Sequence, residues 1–357
     1  MTAASLLKRM VETNASDLHL KAGSPPVLRI NGELQPQDLP TLTPAVAESM
    51  LKQITDEEQR ERFENEKEID FSCTLEGVGR FRVNAALQRG TVTLAFRLVK
   101  EHIPSLQEIG LPDICGHLAL KPRGLVLVTG PTGCGKSTTL AAMIEYLNER
   151  ERRHVICIED PIEYIHSNNL CMISQRELGL DTLSFSDALS HALRQDPDVI
   201  LVGEMRDLAT ISAALTAAET GHLVLTTLHT PSAPQTIDRI IDVFPPHQQQ
   251  QVRVQLSLVL EAVLCQTLLP RADGSGRVAA AEIMVATSAI RNLIRESKTH
   301  QLLNVIQTGA QFGMRTLDQD LAVLCQSGIV KTEDALSRCQ NPEELKRLLL
   351  FKESAAA

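Results

Sequence analysis

No tryptophan occurs among the 357 residues, and phenylalanine and tyrosine together make up only 3% of the chain. A stacking surface for single-stranded nucleic acid would be thinly furnished. Basic charge is not in excess either, because 35 Lys and Arg stand against 44 Asp and Glu, for a net charge of -9. The chain is acidic on both sides of residue 112, so no nucleic-acid partner is expected. Cysteine is present at 73, 115, 134, 157, 171, 265, 325 and 339, but no pair has CxxC spacing. That excludes a structural zinc knot and a thioredoxin-like centre on pattern. Nowhere do 18 apolar residues run together, and MTAASLLKRMVETN lacks a secretory h-region and cleavage site. A reduced, cytoplasmic protein is expected, with membrane association only through partners.

What is present is enough apolar residue, 43%, for two ordinary cores. The first 98 residues read as a small α+β domain. Residues 2–12 suit a short amphipathic helix, ASDLHL a strand, and VLRINGELQ a hairpin turning at Asn31-Gly32. TPAVAESMLKQI and DEEQRERFENE read as helices. Period-two runs follow from Glu68 to Val99, with turns at Glu76-Gly77 and Arg89-Gly90. Residues 99–122, with Pro104, Gly110, Pro112 and Pro122, read as an interdomain linker region. From 123 to 357 short apolar strands alternate with helices. GLVLVTG, HVICIED, DVILVG and GHLVLTTLH predict a largely parallel sheet covered by helices, with AAAEIMV as a peripheral strand. The end is helical, starting afresh at Asn341-Pro342-Glu343-Glu344.

GPTGCGKST, residues 130–138, fits G-x-x-x-x-G-K-[ST] between a strand and a helix. Gly130, Pro131, Thr132, Gly133, Cys134, Gly135, Lys136, Ser137 and Thr138 are therefore the expected nucleotide contacts. The glycines allow a tight loop with inward amides, and the helix start adds favourable potential for phosphate. Lys136 would neutralise β- and γ-phosphate oxygens, and the Ser137 hydroxyl would ligate Mg²⁺. Cys134 reads as a spacer in the loop.

Carboxylates that could meet a γ-phosphate follow the next strands: Glu159 and Asp160 with Glu163, then Glu204, and more remotely Asp207. DVILVGEMRD places Gly203 where many P-loop enzymes carry an aspartate, so the first acid is Glu204. Glu204 is chosen to orient or deprotonate the attacking water. Its bland alternative is a helix-start carboxylate. Glu163 and Glu204 could hold magnesium through water. His222 and His229 bracket LVLTTL, and seven strand residues span more than ~20 Å, so one γ-phosphate cannot take both. His229 is the better sensor.

Taken in order, SDLHL, PPVLRINGEL, GPTGCGKST, ICIEDPIEYIH, DVILVGEMRD and TGHLVLTTLHT resemble the signatures of the type II/type IV secretion ATPase family over essentially the whole chain. The resemblance implies a PAS-like amino-terminal domain, a RecA-like P-loop ATPase core, and six chains in a ring. It implies Glu204 as catalytic glutamate, Glu163 as the key acidic-box carboxylate, and His222 and His229 as paired histidines. Arg82 and Arg97, with Arg80, match amino-domain arginines that reach phosphates in that family. AIRNLIRE, residues 289–296, is by pattern an amphipathic helix with Ile290, Leu293 and Ile294 on one side and Arg291 and Arg295 at i,i+4. It also resembles the motif of the branch that retracts type IV pili. The implied output is pilin disassembly at an inner-membrane pilus platform protein, with an accessory retraction paralogue, a pilus assembly motor or a secretion motor as alternatives. A nucleic-acid translocase and an ATP-gated scaffold without turnover are the rival classes.

Overall fold

A computed structural model describes residues 1–30, 32–99 and 102–350. The chain forms two compact units, Met1–Glu101 and His102–Ala357, each with its own core. In the first, α1 (Ala3–Glu12), α2 (Pro44–Ile54) and α3 (Glu57–Glu66) pack on a six-stranded sheet. Its strands are β1 (Asp17–Lys21), β2 (Val27–Ile30), β3 (Glu33–Pro36), β4 (Glu68–Leu75), β5 (Gly79–Gln88) and β6 (Thr91–Leu98). Their order is β3-β2-β1-β6-β5-β4, every neighbour antiparallel.

Alternation along these strands sends Leu18, Leu20, Phe71, Phe81, Val83, Leu94 and Phe96 into the core beneath the helices. The opposite face is polar. Asn31 lies outside the described residues, but β2 and β3 flank it as an antiparallel pair and Gly32 has φ +88°. At the β5–β6 hairpin Arg89 and Gly90 both adopt left-handed backbone, φ +51° and +76°, as a two-residue primed turn requires.

The second unit opens with α4 (Ile114–Ala119), then β7 (Gly124–Thr129), α5 (Lys136–Asn148), β8 (His154–Glu159), β9 (Met172–Glu177), α6 (Phe185–Ala192) and β10 (Val199–Val202). It continues with α7 (Leu208–Glu219), β11 (Leu223–Thr227), α8 (Ala233–Asp242), α9 (Pro246–Val259), β12 (Leu260–Pro270) and β13 (Arg277–Val285). The chain ends in α10 (Ser288–Arg295), α11 (Leu302–Thr308), α12 (Leu317–Gln326), α13 (Thr332–Leu336) and α14 (Pro342–Leu350). Sheet order is β13-β12-β7-β11-β10-β8-β9. Only the β12–β13 pair is antiparallel, and β13 occupies the edge. β7, β10 and β11 are buried throughout, which suits central strands covered on both faces.

Residues 102–122, expected as linker, instead pack inside this unit. Leu106, Leu111, Cys115, Leu118 and Ala119 are buried in its core. Gly116 lets α4 approach α5, because a Cβ there would lie 2.7 Å from the Tyr146 ring. Two strands have no counterpart among the expected elements. MISQRE of β9 is a polar edge strand without alternation, and β12 begins at Leu260 directly after α9 ends at Val259. No helix among the described residues is long and apolar enough to cross a membrane.

Candidate nucleotide site

Central strand β7 feeds the phosphate loop, and the loop feeds α5. Backbone conformation dictates its glycines: Gly130, Gly133 and Gly135 have φ of +131°, +78° and +92°. At Gly130 space is also exhausted, since a Cβ would sit 2.3 Å from the Gln266 carbonyl oxygen and 2.8 Å from Cys134 Sγ. The loop is clamped from β12. Gln266 Nε2 donates to Cys134 O at 2.7 Å, while its Oε1 accepts from Thr139 Oγ1 at 2.8 Å. Burial pushes the Cys134 thiol up despite the nearby Lys136 ammonium, so it is a packing group and not a nucleophile.

Lys136 Nζ donates to Gly130 O at 3.0 Å and Pro131 O at 3.2 Å, and lies 3.4 Å from His229 Nδ1. His229 comes from just beyond β11. Its Nε2 meets Glu204 Oε1 at 2.9 Å, and Arg206 Nη2 meets Glu204 Oε2 at 2.9 Å. With the Lys136 ammonium facing Nδ1 and the Glu204 carboxylate facing Nε2, the Nε2 hydrogen is directed at the carboxylate. Burial raises the Glu204 pKa, but hydrogen bonds from Arg206 and His229, with their charges, outweigh it and hold the carboxyl below its usual range. Glu204 is thus an ionised acceptor at neutral pH, suited to orienting water more than to stripping its proton outright.

At Gly203 the space for a side chain is tight. Gly203 N donates to Ile158 O at 2.7 Å, and a Cβ at Gly203 would stand 3.3 Å from Ile158 O and from Glu159 Cα. Thr227 Oγ1 holds the Gly203 carbonyl at 2.6 Å. The chain passes the end of β8 without a side chain, and the carboxylate appears one residue later. Nor does Glu204 cap the next helix. Asp207 does, accepting from Thr210 N at 2.8 Å, which takes Asp207 away from the phosphate chemistry.

At the end of β8, Glu159 is half-buried and its pKa is pushed up to about 7. Burial is the main cause; donors on Gln175 and the Glu163 amide oppose it, and the charges of Glu163 and Glu177 add to it. Gln175 Nε2 donates to Glu159 Oε1 at 3.0 Å and to Tyr164 O at 2.8 Å. Tyr164 OH reaches Thr138 Oγ1 at 2.9 Å, tying the acidic loop to the first turn of α5. Glu163 is exposed between these anchors, and Asp160 adds its charge to the surroundings of Arg206. Among the described residues no three His, Cys, Asp or Glu side chains cluster as a metal site. The Ser137 hydroxyl, at the second residue of α5, is a hard oxygen donor of the type Mg²⁺ takes.

The structure does not bring His222 to this group. It precedes β11 at the strand's other end, with Nδ1 at 2.9 Å from Ala217 O and 3.2 Å from Thr220 Oγ1. As the strand length requires, His222 lies one strand away from Lys136, Glu204 and His229 within this chain. Arg80, Arg82 and Arg97 belong to the first unit's sheet, on its polar face. Sequence reading missed Arg206, Gln175 and Gln266. Only Arg206 had a local signal, standing two residues after Glu204.

A family model described as type II/IV secretion system protein matches residues 2–337. The chain is 50% identical over 343 residues to the type IV pilus retraction ATPase PilT of Pseudomonas aeruginosa, covering 96% of this chain and 99% of that one. It is 43% identical over 349 residues to the type IV pilus ATPase PilU of the same organism, covering 98% and 91%. A crystal structure of the pilus retraction motor PilT with bound ADP superposes with a TM-score of 0.92 at 47% identity, over 97% of this chain and 99% of that chain.

Proposed function

Since this chain belongs to the type II/IV secretion system protein family, and is an ATPase with a RecA-like P-loop core and an amino-terminal α+β domain, we infer that it powers type IV pilus retraction. Six chains form the working ring, and ATP hydrolysis drives pilin disassembly and twitching motility. The observation that carries the chemistry is the linked set Lys136–His229–Glu204–Arg206, which gathers groups from behind three neighbouring strands.

Lys136 leaves the carbonyls of Gly130 and Pro131 for the β- and γ-phosphates of ATP. Glu204 orients the water in line with the breaking bond, and His229, released by Lys136, senses the γ-phosphate. Glu163 is a second polar contact to that water. Ser137, with water, would hold Mg²⁺, and the ion would supply charge neutralisation at the phosphates. Arg82 and Arg97, with Arg80, add guanidinium contacts from the first unit, so that loss of γ-phosphate becomes a movement of domains. The partner is a pilus platform protein at the inner membrane, which places a cytoplasmic ring at the pilus base. A PilU-like accessory role is the second reading, favoured by the full-length similarity to PilU.

Purified protein with magnesium should release phosphate from ATP. Lys136→Ala should lose nucleotide retention, and Glu204→Gln should keep ATP while turnover falls about 10²- to 10³-fold. An intact ring that neither retains ATP nor releases phosphate overturns the ATPase reading. A deletion strain should be hyperpiliated and unable to twitch, rescued by the intact gene and not by Lys136→Ala. Loss of all pili would point to assembly, and residual retraction in the deletion strain to the accessory role.

A further inference from the structure

The register of the first unit's sheet aligns one residue from each of five strands: Arg29, Asp17, Arg97, Arg82 and Ser72, directly across β2, β1, β6, β5 and β4. All five share the polar face, because cross-strand partners point the same way. Arg97 and Arg82 are therefore neighbours of like charge, an arrangement that by itself drives the two guanidinium groups apart. Asp17 stands on the other side of Arg97. Its side chain is 10% exposed, against 66% for Arg97, and its Oδ1 accepts from Arg97 Nε at 2.8 Å.

Asp17 is itself held fast. Ser16 Oγ donates to Asp17 Oδ2 at 2.8 Å, and Arg29 Nε approaches the same oxygen at 3.8 Å while Arg29 Nη1 donates to Gly32 O. A buried carboxylate fixed on one oxygen thus offers the other to Arg97. A guanidinium presents two usable edges, and occupying Nε leaves the Nη1–Nη2 pair for a second, bidentate partner. Among the described residues, Arg97 makes no hydrogen bond through that pair.

We propose that Asp17 is a positioning residue for the ATPase reaction. It draws Arg97 away from Arg82, fixes the plane of its guanidinium, and so presents the Nη pair to phosphate oxygens. This rests on the reading of Arg97 as a phosphate contact. It gives the acid of SDLHL a task in turnover, beyond sheet stability.

The test is a double-mutant cycle in the full chain, read as kcat/KM for ATP with magnesium. Arg97→Ala should slow turnover, and Asp17→Ala should lower kcat/KM about tenfold, the size of one lost charge-assisted hydrogen bond. In the Arg97→Ala background, Asp17→Ala should cost nothing more. Asp17→Asn keeps the shape and removes the charge; it should show a smaller loss with the same non-additivity, and it carries the cycle if the alanine variant does not fold. Full activity of Arg97→Ala would remove the reading on which the proposal rests. A slow Arg97→Ala beside fully active Asp17 variants would overturn the proposal and leave that reading standing. Losses that multiply would also overturn it, since Asp17 would then act on the fold and not through Arg97.

Discussion

Glu159 and Glu204 follow neighbouring parallel strands, yet their surroundings push them in opposite directions. Glu204 receives Arg206 and His229 and stays ionised. Glu159 is half-buried with the charges of Glu163 and Glu177 acting on it, and its pKa is pushed up from 4.5 to about 7, desolvation being the main cause. A folded-state pKa raised above the unfolded one adds stability fully present below 4.5 and lost as pH rises through about 7. The shift corresponds to roughly 3 kcal/mol. Wild-type melting temperature should therefore drop between pH 5 and pH 8, and Glu159→Gln should flatten that drop; equal slopes for both proteins would count against it. At this scale the residues that a motif singled out include Lys136, Glu204 and His229, which the structure joins in one linked set. Gln266 was illegible, because its clamp on Cys134 and Thr139 crosses more than a hundred residues of chain and depends on β12 lying beside β7.

Helix α10 shows a second kind of limit. Its amphipathic pattern was readable, and Ile290 and Ile294 are indeed buried. Arg291, which pattern would place in solvent, is folded inward. It donates to Ala286 O, Ser257 O, Leu258 O and Glu261 Oε1 at 2.8 to 2.9 Å. Two of those carbonyls belong to the last turn of α9, whose final carbonyl groups have no partner within the helix. Arg291→Ala should speed amide exchange in residues 255–261 and 286–294 and destabilise the second unit by roughly 2–4 kcal/mol, the sum of a few such bonds. Arg295, exposed with one side-chain partner in Asn292, should tolerate alanine. Equal exchange in both variants would refute the tether. Helix existence was legible from periodicity. The direction of a long side chain was not, since it is set by open helix ends elsewhere in the fold.

At the scale of the molecule, alternation of strand and helix disclosed a parallel core, and period-two runs disclosed the antiparallel sheet. The division between the units was harder to see. Proline and glycine mark residues 99–122 as a boundary, whereas Leu106, Leu111 and Leu118 are core residues of the second unit. Each unit has a separate core, so a fragment of residues 1–101 should melt cooperatively alone. A fragment of residues 102–357 should retain ADP but hydrolyse ATP slowly, because Arg80, Arg82 and Arg97 are absent from it. Calorimetry and a phosphate-release assay check both; wild-type turnover by the second fragment would remove the arginines from the reaction.

The eight cysteines carry a practical consequence. All are free, none is exposed, and burial raises every one of their thiol pKa values. Thiolates attack maleimide dyes, so five buried thiols and the raised pKa of the three half-exposed ones, Cys73, Cys325 and Cys339, lower the background for labelling. A cysteine installed at exposed Glu57 and another at exposed Arg152 would take fluorophores on separate lobes, and energy transfer between them could follow the motor stroke by stroke without first stripping out its native sulfur.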